Sequence, residues 1–231
     1  GAIIQEKIGL KDFPAFSIEA ACSGFVYAMN LANKFILSGD SECALVIGAE
    51  TLSRITDWED RNTCVLFADG AGAAILKPSE DPGIIYSKLG ANGSYSDLLY
   101  VPYGTSKRPL KEQRNDNFLQ MKGNEVFKVA VKTLESIAKD SLREVNMTSE
   151  DIDWFIPHQA NIRIIKAVSK RLNIPEKKVI ISLADHGNTS AASIPLALDQ
   201  SIREGKIKTG DIVLLQSFGA GFTWGTVIIK I

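Results

Sequence analysis

The chain has 231 residues, of which 45% are hydrophobic and 23% charged, and its 26 Lys and Arg nearly balance its 27 Asp and Glu. This composition supplies ample core residues and excludes disordered and collagen-like chains. The apolar runs are too short to span a bilayer, and the small net charge argues against a protein that coats nucleic acid. We therefore expect a soluble globular protein that binds neither a membrane nor nucleic acid.

The cysteines are Cys22, Cys43 and Cys64, and the chain has two histidines. Without a CxxC pair, this set gives no plausible zinc site and no disulfide framework, so we expect no metal. The sequence also opens without a secretory leader, and a reducing cytoplasmic location is the default expectation. Cys43 and Cys64 lie next to apolar runs and are predicted to be core thiols.

Apolar runs of strand length alternate with stretches of helical period, which predicts an α/β protein. The first predicted elements are a strand at 16–20, a helix at 24–37, and strands at 45–48 and 71–76. Residues 81–122 are predicted to be a surface insertion, because the stretch from about 90 to 117 is polar and has no clear period. The later elements are a helix at 124–144, a strand at 154–156, a helix at 162–172, a strand at 179–183, a helix at 190–203, and strands at 213–216 and 226–229.

The predicted elements repeat in two related halves, 1–80 and 123–231. The second half has an additional strand, His158 and helix in front of the repeated unit. In the first half, residues 2–8 resemble only the tail of such a helix. We therefore expect that an N-terminal segment of at least one strand and most of a helix is absent from this sequence.

Cys22 lies between a predicted strand and a predicted helix, in the sequence Ala-Ala-Cys-Ser-Gly-Phe. Free backbone N–H groups and the helix dipole at such a junction favour a thiolate, which predicts a pKa below the usual value of about 8.5. Small neighbours leave room for a substrate. A buried structural cysteine in a tight turn is the alternative.

His158 and Asn188 lie at two further strand-to-helix junctions. Taken separately, His158 could be an ordinary histidine and Asn188 a helix N-cap. Ligands of α/β sheets gather where such helices begin, so the three residues together predict one site. The glycine-rich turn at 218–225 could supply oxyanion-binding N–H groups, or could be a flexible hairpin loop.

Four blocks of the sequence, at 21–25, 157–161, 187–193 and 218–225, resemble the motifs of β-ketoacyl-acyl-carrier-protein synthase III and occur in that family's order. Residues 69–74 and 123–128 add to the resemblance, which covers essentially the whole chain. It implies a thiolase-like fold with two related halves in a layered αβαβα arrangement, and a homodimer. It also implies that about 90 N-terminal residues are missing, which could exist as a separate piece.

The resemblance further implies an acyltransferase that condenses an acyl-CoA primer, expected to be acetyl-CoA, with malonyl-acyl carrier protein. Cys22 would carry the acyl group, and His158 and Asn188 would stabilise the enolate formed by decarboxylation. The backbone N–H groups of Cys22 and Ala220 would bind the tetrahedral oxyanion, although many relatives have glycine in place of Ala220. Phe218 would lie beside the nucleophile, and the coenzyme A thioester is a substrate, so no cofactor is expected.

Binding of coenzyme A and of the carrier protein is assigned by the same resemblance. Arg61 and Asn161 resemble residues that contact coenzyme A. The acidic carrier protein requires a basic docking face, whose candidates are Lys128, Arg163, Lys166, Lys170 and Arg171. A solvated helix face is the alternative interpretation of these basic residues.

Three other functions stay open at this stage. A condensing enzyme with another primer or extender, as in polyketide synthesis, is the closest alternative. A cysteine hydrolase would also use Cys, His and Asn, but the papain-type cysteine signature is absent. A non-catalytic acyl-binding fragment would follow if the missing segment were essential.

Overall fold

The computed structural model describes residues 1–81, 83–102 and 118–231. Its helices are α1 (Ala2–Lys7), α2 (Gly24–Leu37), α3 (Gly123–Glu144), α4 (Ile162–Arg171), α5 (Leu183–His186) and α6 (Ser193–Arg203). Its strands are β1 (Ala44–Thr51), β2 (Asp69–Leu76), β3 (Ile84–Ala91), β4 (Leu99–Tyr100), β5 (Gln120–Met121), β6 (Trp154–Pro157), β7 (Ile212–Gly219) and β8 (Thr223–Lys230).

The strands form one larger sheet and two small ones. In the larger sheet the order is β3-β8-β7-β6, with β6 parallel to β7 and the other pairs antiparallel. β1 and β2 pair antiparallel along their whole length, and β4 and β5 form a short antiparallel pair. The carboxyl ends of β6 and β7 therefore lie at the same edge of the larger sheet.

The sheets and helices stack in layers. α2 and α6 form a middle layer, because α2 contacts both β1 and β8, while α6 contacts both β2 and β6. The opposite face of the larger sheet is covered by α3 and α4, whose buried residues form a second apolar core with the sheet. On the outer face of the β1–β2 pair, the facing residues Leu45 and Ile75 are 46% and 67% exposed.

The amphipathic helices were predicted well. α2 has the predicted bounds, and α3 and α4 agree with the prediction to within one residue. α3 buries Ala130, Leu134 and Ala138 at intervals of four residues, which is the spacing of one helix face. α1 also confirms the predicted helical residues near the N-terminus.

Two predicted strands are wrong. Residues 16–20 lie outside any strand, and Phe16 is exposed. Val179 makes only an isolated parallel bridge with Phe155, and residues 183–186 form α5. Both segments have the composition of strands, but a strand requires a ladder of hydrogen bonds with a neighbour, and the described residues provide none for them.

The predicted surface insertion at 81–122 is wrong in part, because β3 pairs with β8 inside the larger sheet. The edge of β8 provides hydrogen-bond partners for β3, so residues 84–91 form a strand although the sequence that follows them is polar. Residues 103–117, the centre of the predicted insertion, lie outside the described residues. None of the helices in the described ranges is both long and apolar enough to cross a membrane.

The prediction for the two other cysteines is also corrected. Cys43 is exposed and Cys64 is half-buried, so neither is a core thiol. Cys43 immediately precedes β1, and the side chains of β1 alternate between a covered and an uncovered face.

Candidate active site

Cys22 lies in a single 3₁₀ turn, Ala21–Ser23, that leads directly into α2. Ala21 adopts a left-handed φ of 45°, which is costly for a residue with a Cβ and turns the chain sharply before the cysteine. The turn is fastened to β8, since Ser23 Oγ donates to the Thr223 carbonyl at 3.1 Å and Thr223 Oγ1 donates to the Ala20 carbonyl at 2.7 Å. These contacts hold the cysteine in a rigid position.

The electrostatics of Cys22 overturn the predicted low pKa. Burial, with a smaller contribution from the nearby Glu50 charge, raises the pKa of the thiol to about 11. The neighbouring Ser190 side chain and the backbone N–H groups of Cys22 and Ala220 lower the pKa, but by less than burial raises it. At neutral pH the unliganded protein therefore holds a thiol rather than a thiolate.

His158 follows the last residue of β6 at the carboxyl edge of the larger sheet. Its backbone N–H donates to the Gln216 carbonyl in β7 at 2.7 Å, and its ring Nδ1 lies 2.7 Å from Ser193 Oγ. Burial lowers the pKa of His158 to about 4, so the ring is neutral at physiological pH. Among the described residues, Nε2 makes no hydrogen bond to protein.

Asn188 lies in the chain between α5 and α6. Its backbone forms a bridge with Phe67, and its N–H donates to the Leu66 carbonyl at 2.9 Å. The side-chain Oδ1 accepts the Ser190 N–H at 2.9 Å. Because Oδ1 is occupied by this turn, Nδ2 is the end of the carboxamide left to donate to a ligand.

The structure brings Cys22, His158 and Asn188 together around β7 and the start of α6. A Cβ on Gly219, the last residue of β7, would lie 2.7 Å from the Cys22 nitrogen, so the backbones touch there. Gln216, which holds His158, lies three residues away, or about 10 Å along the strand. Ser190, two residues after Asn188, contacts the Cys22 sulfur, and Ser193 contacts His158.

Comparisons with known proteins identify the family of the chain. A family model described as 3-oxoacyl-[acyl-carrier-protein (ACP)] synthase III matches residues 16–93, and a model of the C-terminal part of the same protein matches residues 142–231. The chain belongs to this family. The condensing acyltransferase and thiolase-like fold expected from the sequence motifs are confirmed.

Individual relatives have similar sequences and structures. A β-ketoacyl-[acyl-carrier-protein] synthase III of Alkalilimnicola ehrlichii is 51% identical over 229 residues, which are 99% of this chain and 71% of the relative. The crystal structure of 3-oxoacyl-[acyl-carrier-protein] synthase III from Aquifex aeolicus has a TM-score of 0.92 at 45% identity and covers 100% of this chain and 71% of its own. A priming β-ketosynthase from the R1128 polyketide pathway has a TM-score of 0.94 at 35% identity, over 100% of this chain and 69% of its own.

Phe218 and Ala220 flank Gly219 in the chain, and Gly219 lies against the Cys22 backbone. The Ala220 N–H and the Cys22 N–H both lower the pKa of the thiol, which is the effect of N–H groups close to the sulfur. Phe218 is buried in β7 next to Gly219, and its ring packs on Phe222 with centroids 4.6 Å apart.

Of the two residues predicted to bind coenzyme A, Arg61 is exposed and Asn161 is half-buried. Arg61 is exposed in the turns between β1 and β2. Asn161 caps α4, because its Oδ1 accepts the Arg163 N–H at 2.8 Å. Asn161 thus has a structural role as a helix cap, which leaves its Nδ2 available to bind a ligand.

The predicted docking residues are all exposed on α3 and α4. Arg163 of α4 lies over the ring of Phe127 in α3 at 5.6 Å. Arg171 is held at 2.7 Å by Glu135, and Lys166 lies 3.7 Å from Glu176. Arg171 therefore lies in an ion pair, which offsets part of its charge.

Sequence analysis missed three side chains at this site, which are Glu50, Ser190 and Ser193. Both serines belong to the motif at 187–193, but serine is common at helix starts and gave no separate signal. Glu50 is half-buried and its pKa is raised by burial, a feature invisible in the sequence. Among the described residues, no group of His, Cys, Asp and Glu side chains could hold a metal ion.

Proposed function

We propose that this chain condenses an acyl-CoA primer, acetyl-CoA in the simplest case, with malonyl-acyl carrier protein to give a β-ketoacyl-acyl carrier protein that initiates fatty acid synthesis. Cys22, His158 and Asn188 are the proposed catalytic residues. The contact of Ser190 and Ser193, on one short stretch of chain, with Cys22 and His158 is the observation that carries this proposal.

In the first step, the Cys22 sulfur attacks the thioester carbonyl of the primer. The new bond joins the acyl carbon to Sγ, the bond to the coenzyme A sulfur breaks, and the thiol proton leaves with coenzyme A. The negative oxygen of the tetrahedral intermediate is stabilised by the N–H groups of Cys22 and Ala220, a role supported by their effect on the thiol pKa. Arg61 and Asn161 are proposed to hold coenzyme A during this step.

In the second step, the malonyl group loses carbon dioxide and its bonding electrons form an enolate. The enolate oxygen requires hydrogen-bond donors that are already in place. A neutral His158 ring and the Nδ2 group of Asn188 are suitable, because burial keeps the ring uncharged and the turn to Ser190 directs the carboxamide. The enolate carbon then attacks the acyl carbon on Cys22, and the sulfur leaves as a thiolate that takes up a proton from water.

Intact-mass measurement tests the chemical steps separately. Incubation with acetyl-CoA should add one acetyl group to Cys22, and malonyl-acyl carrier protein should then remove it with release of a ketoacyl product. Cys22→Ser should abolish the adduct. Cys43→Ser is the matched control, since Cys43 is an exposed thiol away from the site, and it should be acetylated at Cys22 as the parent protein is.

Asn188→Asp tests the decarboxylation step. The new carboxylate keeps an oxygen for the Ser190 N–H but loses the donor and adds negative charge, so carbon dioxide release should fall on the order of 100-fold or more while acetylation continues. Asn173→Asp, in an exposed turn, is the control. Rapid hydrolysis of the acetyl adduct would instead identify a hydrolase, and the absence of any adduct would identify an acyl-binding protein.

A second candidate is a priming condensing enzyme of polyketide synthesis. The R1128 priming β-ketosynthase favours it, because its TM-score of 0.94 is as high as those of the fatty acid relatives. The two candidates differ in the primer rather than in the chemistry. Acetylation rates measured against longer and branched acyl-CoA thioesters would distinguish them, since a fatty acid initiator of the simplest kind should prefer acetyl-CoA.

Assembly and location also belong to this proposal. Exposed apolar side chains, including Phe13, Phe16 and Trp58, support a homodimer, and light scattering should then give twice the mass of the chain. Three free cysteines support a reducing, cytoplasmic location.

A further inference from the structure

Ser193 contacts His158 and follows Asn188 by five residues in the chain, although no step above uses it. It is the first residue of α6, only 1% exposed, and its hydroxyl oxygen lies 2.7 Å from His158 Nδ1. The same oxygen accepts the backbone N–H of Gln159 at 3.2 Å. The Ser193 hydroxyl therefore has two hydrogen-bond partners, the His158 ring and the Gln159 N–H.

The Gln159 N–H is held rigidly in the direction of Ser193. The Gln159 side chain is completely buried, its Nε2 donates to the carbonyls of Pro157 and Ile180, and its Oε1 accepts the Ser182 N–H. This network fixes the backbone on both sides of His158. Ser193 Oγ is thus always an acceptor for Gln159.

The hydroxyl group of Ser193 donates its proton to the His158 ring. Among the described residues, His158 Nδ1 is the only acceptor in hydrogen-bond contact with this hydroxyl. A buried hydroxyl without an acceptor would cost about 1–3 kcal/mol, so the O–H donates to Nδ1. Nδ1 then carries no proton, and a neutral imidazole has its single proton on Nε2.

We propose that Ser193 is a positioning residue that holds His158 in the Nε2–H tautomer, so that Nε2 can donate to the enolate oxygen. The inference rests on the function proposed above for His158. It also explains how one segment, from Asn188 to Ser193, prepares both donors: it directs Nδ2 of Asn188 through Ser190 and Nε2–H of His158 through Ser193.

The tautomer can be observed directly in the full chain labelled with ¹⁵N at histidine. In two-bond ¹H–¹⁵N correlation spectra, Nε2 couples to both ring carbon protons, whereas Nδ1 couples strongly to one, so the protonated nitrogen is identified without reference to activity. The chain has only His158 and His186, and a His186→Gln variant assigns the signals. We expect the protonated nitrogen of His158 to be Nε2. A proton on Nδ1 would overturn the proposal.

Ser193→Ala should remove the preference for this tautomer and lower malonyl decarboxylation on the order of 10- to 100-fold, while acetylation of Cys22 stays within about twofold. Ser193→Thr retains the hydroxyl and should restore the Nε2–H signal. Ser201→Ala, another buried serine of α6, is the matched control and should change neither reading. An unchanged tautomer in Ser193→Ala would contradict the proposal.

Failure of the proposed function would give a different result. If His158 had no role in decarboxylation, His158→Ala would decarboxylate normally while the parent protein still gave the Nε2–H spectrum. If Ser193 did not position the ring, His158→Ala would lose decarboxylation and Ser193→Ala would not. The spectrum and the two variants therefore separate the inference from the function on which it rests.

Discussion

The Ser190 hydroxyl donates to the Glu50 carboxylate at 3.0 Å, across 140 positions of sequence. Glu50 comes from β1, in the first half of the chain, and Ser190 from the turn before α6, in the second. Burial raises the pKa of Glu50, and its charge in turn raises the pKa of Cys22. The two halves are thus coupled at the nucleophile by a hydrogen bond and by charge.

Glu50→Gln should lower the pKa of Cys22, because it removes a negative charge that opposes the thiolate. We expect the alkylation rate of Cys22 by iodoacetamide at pH 8 to rise about threefold, which corresponds to half a pKa unit. Peptide mass spectrometry separates Cys22 from the other two cysteines. Glu42→Gln, an exposed acid before β1, is the control, and an equal rise in both variants would refute this account.

Gly219→Ala should displace the nucleophile. The new Cβ would lie 2.7 Å from the Cys22 nitrogen and 3.0 Å from its Cβ, and backbone atoms cannot move aside as a flexible side chain can. We expect a loss of about 1–3 kcal/mol in the free energy of unfolding, and slower acetylation. Gly93→Ala, which meets nothing within 4 Å, should retain both, and normal acetylation in Gly219→Ala would count against the contact.

Folding stability should depend on pH through His158. Its pKa is about 4 in the folded protein and near 6.5 when unfolded, so the unfolded chain binds the extra proton between these values. The stability that the neutral ring contributes is therefore complete above pH 6.5 and is lost as the pH falls toward 4, by up to about 3 kcal/mol.

Urea unfolding at several pH values measures this effect. His158→Gln should lose that part of the pH dependence, whereas His186→Gln, which changes a partly exposed histidine, should keep it. Identical pH curves for the parent protein and His158→Gln would show that the ring is not held neutral by burial.

Arg163→Glu should weaken binding of the acidic carrier protein. Arg163 is exposed on α4 and lies over Phe127 of α3, so reversing its charge should raise the KM for malonyl-acyl carrier protein on the order of tenfold at low salt. The acetylation rate with acetyl-CoA should change little.

Lys208→Glu provides a matched charge reversal at the far end of β7, away from the site. An equal rise in KM for both variants would indicate a general charge effect instead of a docking surface. Added salt should narrow the difference between the parent protein and Arg163→Glu, because exposed charges are screened.

Local sequence predicted much of the fold. The bounds of α2 follow from its apolar residues and the small residues before it, and α3 and α4 from their amphipathic period. The wrong strands at 16–20 and 179–183 show the limit of composition, because ladder partners are supplied by distant parts of the chain. β3 is the opposite case, because it was not predicted as a strand and becomes one by pairing with β8.

The sequence by itself determined which residues are candidates for chemistry: Cys22, His158 and Asn188 each stand at a junction before a helix, within blocks that identify the family. Only the tertiary structure decided their protonation and orientation. Burial outweighs the N–H groups at Cys22 and keeps His158 neutral, while Glu50, Ser190 and Ser193 act from other segments. Desolvation and hydrogen bonding depend on all the neighbours in space, and most of these neighbours are remote in sequence.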